Sequence, residues 1–193
     1  MNRTNRDRIV KLTGIALFSA IVVVLQLLGS FIRFGPFSIS LVLIPIVVGA
    51  AVYGMGAGAW LGFVFGVVVL ISGDAAAFLA INPIGTVVTV LLKGILAGLA
   101  VDLVYRLLKN INKYVAVVSS AIVCPLVNTA VFLLGCRLFF FETVTEWAGG
   151  SDVFTYMIVG LVGWNFVFEL GFNILMSPGI VRLIDIGTSK FRR

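Results

Sequence analysis

Apolar residues run along this chain in long blocks separated by brief polar punctuation. The first block, Leu12 to Leu28, stops at Gly29-Ser30. A second, from about Pro36 to Tyr53, is interrupted by Pro45. A third, from about Ala57 to Ile71, follows after only Gly54-Met55-Gly56, which predicts a tight helical hairpin of two short spans. Ser72 to Pro83, "SGDAAAFLAINP", predicts a loop whose Asp-Ala-Ala and closing Asn-Pro favour turn and helix-start geometry. A fourth block covers Pro83 to about Tyr105 and a fifth about Tyr114 to Gly135. A sixth begins near Val153 and ends at Ser177-Pro178-Gly179, with "IVRLIDIG" as an amphipathic tail. No block alternates with period two, so helices are expected and not a barrel. About 20 apolar residues cross a hydrocarbon layer of about 30 Å. The pattern therefore predicts an all-α integral membrane protein, a six-transmembrane-helix bundle forming one domain over residues 1–193. A short basic segment, 1–11, precedes it, and a tail from about 180 to 193 closes it.

Composition strengthens this assignment. Of 193 residues, 61% are hydrophobic and 11% charged, against roughly 45–50% and about 25% in soluble domains. Short loops rich in lysine and arginine stay in the cytoplasm. With both termini cytoplasmic, eleven of these residues fall inside, including Arg106, Lys109 and Lys113, and only Arg33 and Arg137 fall outside. The net charge of +6 thus reports topology. Its scattered cations, not interleaved with aromatics on one face, exclude nucleic acid as a partner. A retained first span is expected over a cleavable signal peptide, because no small-x-small site follows the first block.

Several chemistries drop out. The chain has no histidine, and Cys124 and Cys136 lie twelve residues apart, about 18 Å along a helix, too far to bridge or share a metal. No Gly-Lys dipeptide exists, so the phosphate-cradling loop of nucleotide hydrolases is absent. The expectation is a protein that is not an enzyme, with no cofactor and no metal.

Polar residues at membrane depth then stand out, because a charge there costs from a few kcal/mol upward and normally faces a bundle interior. Lys93 interrupts "TVVTVLLKGILAGLA" about 15 Å along a helix from Pro83. Asn82, Thr86, Thr89 and Lys93 recur at spacings of three or four and share one face. Asn165, Glu169 and Asn173 repeat every four residues in the sixth block, beside Trp164, and the fifth supplies Asn128 and Thr129. Three such stripes predict a common polar pocket. Arg33, Asp74 and "LFFFETVTEWAGG" in the outer loops suit a lid, although Phe139 to Phe141 equally suit an interfacial aromatic belt. Read without a ligand, the same polar residues would join helices, with Lys93 neutralised by Glu169. Two other classes stay open, an ion-coupled small secondary transporter and a structural membrane partner of cell-envelope machinery.

These features together resemble the substrate-binding S components of energy-coupling factor (ECF) vitamin transporters. The resemblance rests on the length, six spans, the basic start, "LVLIPIVVGAAVYGMGAGAWLGFVFG", "INPIGTVVTVLLKGILAGL", and Ala16 and Ala20 in "ALFSA". It implies a subunit of a prokaryotic plasma membrane that captures a vitamin from outside. Its partners would be a transmembrane coupling subunit and two ATPases, and it would topple in the membrane to release its cargo. Carried onto this chain, Ser72 to Pro83 is the gating loop, and Asn82, Thr86 and Asn128 line the pocket with Lys93 and Asn165 lower on its wall. Ala16 and Ala20 form the docking face, with Gly14 able to admit a partner helix. Lys93 and Arg33 suit a carboxylate, making pantothenate the first expectation. Glu169 and Asp74 weigh against it, and Trp164 with Trp147 would suit the flat ring of riboflavin. Folate, cobalamin, thiamine and queuosine precursors stay open.

Overall fold

The computed structural model describes residues 3–31, 33–34, 37–38 and 41–189. Arg33 falls on a described backbone position, but its side chain lies outside the described residues, as do Pro36 and the last four residues of the tail. The helices are α1 (Arg3–Gly29), α2 (Leu43–Tyr53), α3 (Met55–Ile71), α4 (Ala76–Ile81), α5 (Pro83–Leu108), α6 (Lys113–Phe139), α7 (Phe141–Ala148), α8 (Val153–Thr155) and α9 (Gly163–Ser189). A π-helical segment, Tyr156–Val162, joins the last two. Between α1 and α2, β1 (Arg33–Phe34) pairs antiparallel with β2 (Phe37–Ser38).

Among the described residues, four helical stretches are long and apolar enough to cross a membrane: Asn5–Gly29, Pro83–Leu108, Lys113–Phe139 and Val153–Thr188. The helix expected from about Pro36 begins only at Leu43, because the residues before it include the short β pair. Pro45 does not interrupt α2. It sits in the first turn, where a missing N–H breaks no intrahelical bond. From Leu43 to Ala50 nearly every residue of α2 is buried, and a helix apolar all round belongs inside a bundle and need not span one.

The hairpin between α2 and α3 turns on Gly54 alone, with Met55 and Gly56 already in α3. Gly54 has φ +88, a conformation that L side chains rarely adopt. Helices α3 and α5 then lie backbone to backbone. Gly58 faces Gly98 and Gly62 faces Gly94, and a Cβ on any of these four would overlap the opposite carbonyl. Small residues at four-residue spacing permit this approach, and close van der Waals packing is what joins helices where both lipid and side chains are apolar.

Asparagine and aspartate side chains cap three of the helices. Asn82 accepts from Gly85 N at 2.9 Å, with Pro83 at the first helical position, and opens α5. Asn112 accepts from Tyr114 N and Val115 N and opens α6. Asp152 accepts from Thr155 N at 2.8 Å, and these bonds hold its carboxyl below the ordinary carboxylate range. This cap is therefore present at neutral pH and lost only as pH falls through that lowered value. Asn82→Ala should cost about 1 kcal/mol of stability, readable as a small drop in the thermal unfolding midpoint in detergent.

The last helix does not stop at Ser177-Pro178-Gly179. It continues to Ser189 with Pro178 inside it. Ser177 Oγ donates to Asn173 O at 3.0 Å in the turn that the proline loosens. Ile180 and Ile184 are fully buried in the main core beside Leu43, Ile46 and Val47, and Asp185 pairs with Lys113 at the start of α6. Burial of one face thus extends the helix where local breakers alone predict its end.

Candidate functional site

A cavity of about 780 Å³, including its mouth, opens among α1, α5, α6, the π-helical segment and α9. It lies toward the end of the bundle that holds the α3–α5 and α6–α8 connections. The α2–α3 turn and the α5–α6 connection, with Arg106, Lys109 and Lys113, occupy the other end.

Seven of the ten residues expected at a site line this cavity: Asp74, Thr86, Thr89, Lys93, Asn128, Asn165 and Glu169. Their convergence follows from helical phase. Thr86, Thr89 and Lys93 share one face of α5. The sixth stripe continues upward as Met157, Leu161, Asn165, Glu169 and Asn173, a constant step of four. Such a step rolls about 40° per repeat around an α-helix, and the wider turn of the π-helical segment offsets part of that roll. Leu161, Asn165 and Glu169 therefore reach the same cavity, whereas Asn173, buried deeper along α9, does not line it.

The remaining expectations fare differently. Asn82 is used as the α5 cap and does not line the cavity. Trp164 is 79% exposed on the outer surface of α9, because one residue from Asn165 is a 100° rotation. It is not a wall of the pocket. Trp147 instead packs on Phe78, ring centroids 5.5 Å apart. Gly14 also departs from expectation. A Cβ there would overlap the Tyr53 ring, so the close approach it allows is within this chain. Ala16 and Ala20 do face outward, one turn apart on an exposed side of α1.

Sequence reasoning missed Gln26, which is 1% exposed and lines the cavity from α1. Its signal was the one that exposed Lys93, a lone polar residue inside the apolar run "VVVLQLLG". Gln26 Nε2 donates to Asp74 Oδ2 at 2.8 Å, and Ser72 Oγ donates to the same oxygen at 3.1 Å. A carboxylate otherwise in a loop is thereby fixed against the first helix. Apolar lining was equally hidden: Phe78 from α4, Phe132 from α6 and Phe140 at the start of α7. Phe78 meets Phe132 and Phe140 edge to face at 5.8 and 4.8 Å. Helix α7 lies over this end with Val144 and Ala148 turned inward, and Phe140 lines the cavity beneath it.

The Lys93 ammonium lies 5.4 Å from the Phe65 ring centroid and 5.6 Å from that of Phe132. Electron-rich ring faces stabilise a cation withdrawn from water. Glu169 first, and then Asp74, are the carboxylates whose field reaches it. The site thus combines a charge-compensated polar floor with aromatic walls. Cys124 and Cys136 are free thiols in separate clusters of the core, and among the described residues no group of histidine, cysteine and carboxylate side chains suits a metal.

No curated protein matches the chain significantly. The family model described as the ECF transporter substrate-specific component matches residues 10–181. Members are membrane subunits that bind the transported substrate, while ATP hydrolysis belongs to separate partner proteins. A bundle of apolar helices around a partly polar cavity fits that role, and the chain belongs to the family of ECF transporter substrate-specific components.

Proposed function

We propose that this chain captures a vitamin-sized micronutrient from the outer face of a prokaryotic plasma membrane and delivers it by docking on a coupling subunit that carries two ATPases. The observation that supports this reading most directly is the cavity itself. Buried polar groups from α1, α5, α6 and α9 converge there at the end of the bundle remote from the basic connections. In this reading residues 1–193 form one membrane domain that crosses six times, with α2 and α3 completing the count and both termini in the cytoplasm. The exposed face of α1 around Ala16 and Ala20 meets the coupling subunit.

Two measurements test this. Mass spectrometry of the detergent-purified chain should find a small molecule at near-equal molar amount. Its absence, together with failure to bind any vitamin tested, would overturn the assignment. The docking face is tested separately in liposomes holding the whole complex. Ala16→Trp with Ala20→Trp should leave substrate binding within about twofold, since both side chains point away from the cavity. ATP-driven uptake should fall at least about tenfold, as expected when bulk blocks a small-residue contact between helices. Undiminished uptake would remove α1 from the docking surface.

A further inference from the structure

The cavity's polar groups are unequal in kind, and that inequality bears on what it takes. Gln26 is fixed in orientation. A carboxylate only accepts, so the amide nitrogen must face Asp74, and Gln26 Oε1 is left as an acceptor with no hydrogen-bond partner. Thr86 Oγ1 spends its proton on Asn82 O at 2.8 Å, so only its lone pairs remain. Thr89 Oγ1 and Asn128 Oδ1 are buried oxygens without a partner, on residues that are both at most 5% exposed. Among the described residues, one lining cation stands against these, Lys93, already placed over two rings and within the field of Glu169 and Asp74.

A buried acceptor left without a donor costs about 1–3 kcal/mol. Gln26 Oε1 and Asn128 Oδ1, from α1 and α6, are two such acceptors, and Thr89 Oγ1 on α5 is a hydroxyl that can accept as well; all three residues line a single cavity. We propose, resting on the substrate-binding reading above, that the compound held here is a planar heterocycle. It presents N–H or O–H donors to Gln26 Oε1, Thr89 Oγ1 and Asn128 Oδ1 and lays its ring against Phe78, Phe132 and Phe140. Donors on the compound complete oxygens that the protein leaves open. The aromatic rings favour a flat partner through stacked or edge-to-face contact. An acid of the pantothenate kind fits less well, because its carboxylate brings further acceptors beside Glu169 and Asp74, whose field Lys93 already feels.

The test uses the purified full-length chain in detergent and three radiolabelled probes. Thiamine and riboflavin are donor-bearing planar heterocycles, and pantothenate is a flexible acid. Each is titrated against the wild type, Asn128→Asp and Asn128→Leu. A heterocycle should bind the wild type. Asn128→Asp keeps an acceptor and should bind it within about threefold, and Asn128→Leu should bind about 10- to 100-fold more weakly. Gln26→Met, on a different helix, should weaken binding by a similar factor, with an unchanged gel-filtration profile showing that each variant is folded. Tight pantothenate binding would overturn the planar-heterocycle assignment, and equal losses in Asn128→Asp and Asn128→Leu would overturn the donor assignment; either leaves the chain a substrate-binding subunit. Where none of the three binds, the molecule released on denaturation decides. A planar donor-bearing heterocycle supports the assignment, a compound of another class overturns it, and no molecule at all overturns the substrate-binding reading itself.

Discussion

Lys93→Met should abolish measurable substrate retention, a loss of at least about 100-fold, and should also lower thermal stability. The methionine keeps the length of the aliphatic stem and its contact with Phe65 and Phe132, so little packing is lost. What disappears is the cation whose field Glu169 and Asp74 share. Removing the cation leaves the buried Glu169 carboxylate and the half-buried Asp74 without that compensation in a medium of low dielectric, which lowers stability. The double variant Lys93→Met/Glu169→Gln separates the two roles that the sequence leaves open for this lysine. If Lys93 serves both the bundle and the substrate, the double variant should regain most of the thermal stability while substrate retention stays lost. Recovery of both would assign Lys93 to the internal pair alone. Binding and unfolding, measured on the same detergent preparations, check each outcome.

Gly94→Leu is the second large effect expected. The Gly94 Cα faces the Gly62 carbonyl so closely that even a Cβ overlaps it, and the reciprocal contact holds for Gly62. A leucine must push α3 and α5 apart along a seam that includes Gly58 and Gly98. Overpacking of side chains alone costs about 1–3 kcal/mol, and a clash with a rigid backbone lies at or above the top of that range. For a chain of this length, a change of about 3 kcal/mol lowers the unfolding midpoint by roughly 6–12 °C. Because Lys93 is the neighbouring residue, substrate affinity should fall as well. Gly171→Ala is the matched control. It lies in α9 with open space around the added Cβ, and the better helix propensity of alanine should leave the midpoint unchanged or slightly raised. Equal effects of the two substitutions would mean that the α3–α5 seam contributes nothing special.

Some of this architecture follows from local chemistry and some does not. The long spans and the placement of Lys93, Thr89, Asn128 and Glu169 toward an interior follow from apolar run length, helical period and the cost of polar groups in hydrocarbon. Those rules act within one helix, and the sequence displays them directly. Membership of the ECF substrate-specific components was likewise readable from the sequence and is shown by the family match.

Other features depend on what one helix meets on another, and only the tertiary structure decided them. The β pair before Leu43 and the turn at Gly54 make α2 short, and the packing of Ile180 and Ile184 carries α9 past Pro178. The phase of α9 turned Trp164 outward. Capping drew Asn82 out of the pocket, and Tyr53 claimed the notch beside Gly14. Gln26 entered the site because Asp74, 48 residues away, holds its amide. By itself the sequence determined which faces must avoid lipid, since that cost belongs to each residue's own chemistry. Which of those faces meet, and which atoms remain free to hold a substrate, was decided by packing, because a hydrogen bond made inside the fold is no longer available to a ligand.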